Sequence, residues 1–169
     1  EKKQVEVALE PGIPSKGVRQ FVMTNLVRHH DQPGLLADVC TIIVETGGYK
    51  LAWVGEALHD SAKKILPLAY SGNDENHLHD LCITWADEWN GQGPASKAIR
   101  HGRPFVARDI DNDPALAHWR EIAALSGFRS SIGLPLWIDG KVFGSLNLNA
   151  QNAEAFDDVV VGAGDRPRL

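Results

Sequence analysis

"LPLWIDGKVFGSLNLNA", residues 134–150, is the stretch whose reading decides the fold. Two apolar runs flank Ile138-Asp139-Gly140-Lys141. Asp-Gly between alternating runs is a strong hairpin signal, because a two-residue turn needs positive φ and glycine adopts it without steric cost. Residues 130–138 and 141–149 are therefore expected to pair as antiparallel strands. Side chains alternate faces along a strand. In the second strand Val142, Gly144, Leu146 and Leu148 are expected on one face, with Phe143, Ser145, Asn147 and Asn149 on the other. The apolar face must pack on a core. The polar face fits either solvent or the floor of a cavity.

Upstream, Asp31 can cap a helix with Pro33 in its first turn. Leu35, Leu36, Val39, Ile42 and Ile43 form its apolar stripe, and Gly47-Gly48 stops it. Residues 49–58 predict a strand. Tyr49, Leu51, Trp53 and Ala57 share one face, Ala52, Val54 and Leu58 the other, so both faces should be covered. Residues 64–70 predict its partner, and 73–81 are polar and without clear period. Pro94 opens a helix to His101, with Gly102 ending it, and 105–107 is a short strand. An acidic loop, 109–113, leads to a helix from Pro114 to Leu125, closed by Gly127. Near the start, Val18, Phe21, Val22 and Leu26 recur at helical spacing. Residues 1–16, with Pro11, Gly12 and Pro14, read as a loose leader. The pattern predicts an α+β domain with a central antiparallel sheet and helices on both faces.

A chain of 169 residues suggests one domain with a real core. Its formal charge of −5 argues against binding a phosphate backbone, which needs an excess of Lys and Arg. No apolar run approaches the ~18 residues of a membrane span. Cys40 and Cys82 show neither disulfide-framework nor metal spacing, so reduced thiols in a cytoplasmic protein are expected.

"GGYKLAWVG", "GPASKAIRHGRPFVARDIDNDPALAHWREIAALSGFRSSIGLPL" and "GKVFGSLNLNA…AFDD", in this order and spacing, resemble a GAF domain. The likeness is to GAF domains beside diguanylate cyclase, phosphodiesterase or histidine kinase modules in bacteria, and it covers residues 26–158. It implies a sheet of five or six strands with a small-molecule pocket under the connecting helices. It also implies a single sensory domain over 17–158, followed by an irregular tail, 159–169. The family usually continues there into a long helix, which Gly162, Gly164 and Pro167 oppose.

Ser145, Asn147 and Asn149 would then line the pocket floor, or else hydrogen-bond backbone crossing the sheet. Asp109 and Trp119 would grip a polar, planar ligand at the rim, or cap a turn and pack in the core. Asp111 and Asp113 read as turn and helix caps. Arg129, beside Ser130 and Ser131, would pair an anionic ligand group or, the favoured reading, anchor the Asp109 loop through a buried ion pair. The candidate ligand set is Asn147, Asn149, Ser145, Asp109, Trp119, Arg129 and Ser131.

No catalytic residue and no metal site is expected. Ser130 or Ser131 with His118 and Asp109 lacks a nucleophile elbow and an oxyanion hole. His77 and His79 have no third ligand at standard spacing. The cyclic-nucleotide pattern of some GAF domains is incomplete, with only Phe156 and Asp157 matching. Cys82 is followed by Ile83 rather than the His of bilin-binding members. His101 and His118 sit as ordinary surface or helix-end histidines rather than haem ligands. Cys40 falls on a core stripe, unlike the pocket cysteines of GAF-type methionine sulfoxide reductases.

The expectation is a non-catalytic, cytoplasmic sensory module that binds an unidentified small molecule, cofactor unknown. It would relay the change to an output domain of the parent chain, such as a diguanylate cyclase. The alternative is a ligand-free dimerisation module whose pocket is filled by Trp85, Trp119 or Phe143. A homodimer through the 18–26 stripe is expected, with no nucleic-acid or membrane partner.

Overall fold

The computed structural model describes residues 5–7, 33–72 and 82–157. The elements are β1 (Val5–Val7), α1 (Pro33–Gly47), β2 (Leu51–Ala57), β3 (Ile65–Gly72), α2 (Pro94–His101) and β4 (Phe105–Ala107). A single 3-10 turn (Pro114–Leu116) leads into α3 (Ala117–Ser126), followed by β5 (Ser130–Ile138) and β6 (Lys141–Ala150). The sheet is antiparallel in the order β1-β5-β6-β2-β3, and β4 adds to β5. The hairpin turn forms as expected, with Asp139 at φ 51° and Gly140 at φ 75°.

β6 is the central strand, bonded to β5 on one side and β2 on the other. One face of the sheet takes α1. There Leu36, Val39, Cys40 and Ile43 pack on Ala52, Val54, Ile132, Leu134, Leu136, Leu146 and Leu148. Full burial of each large aliphatic chain contributes about 1.5–3 kcal/mol, so this layer dominates the stability. The other face carries α2 and α3. Among the described residues no helix is long and apolar enough to cross a membrane.

The structure departs from the sequence reading in several places. Residues 1–16 are expected as a loose leader, yet 5–7 form β1, with Val7 opposite Leu136 and Val5 opposite Ile138. β4 and β1 share the outer edge of β5, β4 pairing with residues 131–133 and β1 with 136–138. Phe143 is expected on the face of Asn147, but it packs on the α1 side. A bulge between Leu136 and Trp137 leaves Phe143 without a register partner, and one extra residue inverts the alternation beyond it. Val142 accordingly packs with Trp53 and Ile99. Tyr49 precedes the first residue of β2 and stacks on Phe156, ring centroids 5.8 Å apart. The stripe at 18–26, the cap at Asp31, the segment 73–81 with His77 and His79, and the tail 159–169 lie outside the described residues.

Cys40 is fully buried and Cys82 exposed. Burial pushes the Cys40 thiol up to about 12. Alkylation of the native protein near pH 8 is expected to modify Cys82 alone, and mass mapping that finds Cys40 labelled would contradict this packing. The sign of the linkage follows. Above the ordinary thiol value the unfolded chain loses the Cys40 proton and the folded one keeps it. Stability therefore falls as pH rises toward about 12, by up to about 1.4 kcal/mol per pH unit.

Candidate functional site

Register places the polar residues of β6. Asn147 lies between Trp53 of β2 and Gly133 of β5, Ser145 between Gly55 and Pro135, and Asn149 between Leu51 and Ser131. Directly paired residues share a face, so these side chains point away from α1. None is solvated: Ser145 is 0%, Asn147 2%, Asn149 7% and Ser131 8% exposed. The sheet face is therefore a covered floor rather than a wet surface.

α2 forms one wall. A Cβ added to Gly133 would collide with the Pro94 carbonyl oxygen and lie 2.9 Å from the Ala95 nitrogen. The first turn of α2 thus rests on bare β5 backbone beside Asn147. Its N-cap, Gly93, supplies no side-chain cap, and the first backbone N–H groups of a helix have no partner within it.

The segment before α2 is tied down from several sides. Arg100 Nη1 donates to the carbonyls of Trp85 (3.0 Å), Ala86 (3.0 Å) and Gly91 (2.6 Å). Ser96 Oγ donates to the Thr84 carbonyl at 2.6 Å, and Trp85 Nε1 to the Leu58 carbonyl at 2.8 Å. Burial draws the Arg100 guanidinium down from its ordinary value, while Asp87, 3.7 Å away, opposes the shift.

α3 supplies the roof. Trp119 joins two clusters, one with Trp53, Ile83, Ala95 and Ile99, the other with Ala107, Ile110 and Leu116. Its Nε1 lies 3.3 Å from the Cβ position of Gly93, so the indole edge faces the start of α2. His118 stacks edge-on with Trp119 at 5.3 Å and with the exposed Trp89 at 4.6 Å.

Among the described residues, five buried side-chain atoms have no hydrogen-bond partner: Asn90 Oδ1, Asp109 Oδ1, Trp119 Nε1, Ser145 Oγ and Asn147 Oδ1. Leaving such an atom unsatisfied costs about 1–3 kcal/mol. Four of the five belong to the candidate set read from the sequence. Asn147 is oriented by its own amide, whose Nδ2 donates to the carbonyls of Ser145 (3.3 Å) and Trp53 (3.4 Å). Its oxygen is therefore the free end.

The remaining candidates separate. Ser131 Oγ donates to Asn149 Oδ1 at 2.7 Å, so this pair is occupied by itself. Arg129 does not join the floor. It is half-exposed and pairs with Asp111 Oδ2 at 3.2 Å. It does anchor the acidic loop, as the favoured reading has it, but through a solvated ion pair. The strand starts at Ser130, and Arg129 precedes it where water remains. Asp113 caps the following turn by accepting from the Ala115 N–H at 3.0 Å. Ser130 Oγ donates to the Asn152 carbonyl at 2.6 Å, so neither serine hydroxyl is turned to His118. Among the described residues no group of three or more His, Cys, Asp or Glu side chains could hold a metal ion.

Asn90 was not legible as a site residue. Asn-Gly in a polar loop signals a turn, and only the fold brings its neighbours Trp89 and Gly93 against α3.

A family model for the GAF domain matches residues 29–161. The chain belongs to the GAF family. This GAF domain matches no curated protein sequence. It is similar in fold to several solved structures. A mutated NreA protein "in nitrate binding site" from Staphylococcus aureus is 18% identical, with 72% of this chain and 88% of that one covered and a TM-score of 0.57. A free methionine-R-sulfoxide reductase from Neisseria meningitidis, solved with its substrate, is 20% identical over 82% of this chain and 77% of that one, at a TM-score of 0.57. The nlh2 GAF domain of A. Aeolicus, in an inactive state, is 15% identical over 83% and 82%, at 0.58.

Proposed function

We propose that this GAF domain is a non-catalytic sensory module that binds a small molecule between the floor of β6 and the α2 and α3 roof. The buried, unpartnered side-chain oxygen of Asn147 carries this reading. A covered face that leaves polar atoms unsatisfied is destabilising without a ligand and complementary to one with it. The solved relatives with a nitrate site and with a bound substrate support the reading, since their fold carries small molecules. Ser145, Trp119 and Asp109 complete the contact set, and Asn149 with Ser131 holds the floor in shape. Bound ligand would favour one placement of α2 and α3, and that preference is the signal. The sensory unit spans 17–158 of a cytoplasmic bacterial protein. It works as a homodimer through the 18–26 stripe, and an output domain of the parent chain receives the signal.

Asn147→Leu tests this. Native mass spectrometry and thermal shift against a metabolite panel should find a ligand for the unaltered chain and none for the variant. The variant should be at least as stable, because it removes an unsatisfied buried oxygen at similar volume. No ligand for the unaltered chain would favour the dimerisation module, with Trp85 and Trp119 filling the space. Ser131→Ala, by contrast, should cost about 1 kcal/mol by stranding Asn149 Oδ1, read as a lower urea midpoint.

A further inference from the structure

Asn147 and the first turn of α2 stand next to each other. Asn147 pairs directly with Gly133, and directly opposed residues of an antiparallel pair share a face with Cβ positions about 4.5–5.5 Å apart. The Cβ position of Gly133 lies 2.9 Å from the Ala95 nitrogen. The Asn147 Cβ and the Ala95 nitrogen are thus about 8 Å apart at most. The asparagine carboxamide reaches into that interval.

Its orientation turns the oxygen the same way. Asn147 Nδ2 donates to the Trp53 carbonyl on the β2 side and to the Ser145 carbonyl within β6. Oδ1, on the other arm of the planar amide, is turned from β2 toward the β5 side, where α2 rests. It has no partner, and the residue is 2% exposed. Turning the amide over would set the oxygen against those two carbonyls. On the helix side, Pro94 has no N–H, Gly93 supplies no side-chain cap, and the Lys97 N–H is taken by the Gly93 carbonyl at 3.1 Å. Helix geometry leaves the N–H groups of Ala95 and Ser96 without an acceptor inside α2.

Charge decides the class of ligand. Every buried polar residue among those described is a Ser, Thr or Asn. Arg100 is committed to three carbonyls. An ionised ligand would be buried here without a counter-charge, which costs far more than burying a neutral polar group. An anion would also set acceptor oxygens against Asn147 Oδ1, and a cation would meet the positive end of α2. A neutral group with an N–H beside a carbonyl satisfies both sides at once.

We propose that the site takes a neutral ligand with a cis-amide edge, of the lactam or cyclic ureide kind, its N–H donating to Asn147 Oδ1 and its carbonyl accepting from the first turn of α2. This rests on the reading of the covered face as a ligand site.

The test follows amide resonances of the full chain by two-dimensional NMR while four probes are titrated at constant ionic strength: 2-pyrrolidinone, its N-methyl derivative, nitrate and methylammonium. 2-Pyrrolidinone should shift the Ala95, Ser96 and Asn147 resonances in a saturable way. N-methylation removes the donor and should weaken binding about tenfold. Nitrate and methylammonium should leave these resonances in place. Asn147→Leu should abolish the 2-pyrrolidinone response, and Arg129→Gln, outside the site, should preserve it. Equal binding of the N-methyl derivative overturns the proposal, as does a response to nitrate or methylammonium that exceeds that to 2-pyrrolidinone. No response to any probe also overturns it, a bridging water then being the sole occupant. A response that survives in Asn147→Leu overturns the assigned contact. The ligand-site reading falls separately, when the metabolite panel finds no ligand for the unaltered chain. A charged ligand from that panel, lost in Asn147→Leu, overturns the amide class and leaves that reading standing.

Discussion

Gly133→Val is expected to cost this domain about 3 kcal/mol, the upper part of the range for overpacking a rigid core. The obstruction is backbone, not side chain. A new Cβ meets the Pro94 carbonyl oxygen and sits 2.9 Å from the Ala95 nitrogen. A flexible side chain could rotate aside, but the first turn of α2 cannot. It is held by Ser96 to Thr84 and by Arg100 to three carbonyls. For a chain of this size the loss should lower the melting temperature by roughly 6–12 °C. Gly133→Ala should fall between, because it brings the clash without the branched methyls. A valine variant that melts within a degree or two of the original would mean that α2 does not rest on β5 here. The same substitution should disturb ligand binding, since Asn147 lies opposite Gly133.

Arg100→Met is the second large effect. The side chain lies in the helix that walls the site, and its guanidinium gathers backbone from residues 85, 86 and 91. Removing it strands the carbonyl oxygens of Trp85 and Gly91, while that of Ala86 keeps the Glu88 N–H at 2.8 Å. A net loss of about 2–4 kcal/mol is expected, read from denaturant midpoints at constant slope. Arg100→Lys should recover only part of this, because an ammonium is more strongly hydrated than a guanidinium and loses more on leaving water. Trp89 and Asn90 sit on the released segment, so protease cleavage between residues 85 and 92 should accelerate in both variants. Full stability of Arg100→Met would show that the segment holds itself.

Much of this architecture is legible in the amino-acid sequence. Asp139-Gly140 dictates the hairpin by local geometry, and the hairpin dictates which residues of β6 share a face. The same local logic places α2 between Pro94 and Gly102, and β4 at 105–107, as found. What fails is the reach of alternation through a defect. Phe143 lands on the wrong face because a bulge is a tertiary compromise between two strands, with no residue signature at this position. The site divides along the same line. Ser145 and Asn147 announce themselves by breaking an apolar strand. Asp109 and Trp119 come only from the family resemblance, because each is ordinary in its local setting. Arg100 and Asn90 stay hidden, since their partners are brought together by the fold. Arg129 anchors the acidic loop from the solvent side rather than as a buried pair, because sequence proximity to a floor strand does not specify whether a side chain faces the floor or water.

The floor and roof of the site differ in a way that governs rates. Ser145, Asn147 and Asn149 ride on the central strand, bonded along both edges. Amide hydrogens of such a strand exchange only when the whole domain opens, whereas helices held by a few side-chain bonds open locally and often. In the proposed function a ligand therefore enters through the roof. If roof opening is slower than diffusion, association will level off as ligand concentration rises. The plateau rate will then match the exchange rate of α3 amides, measured without any ligand.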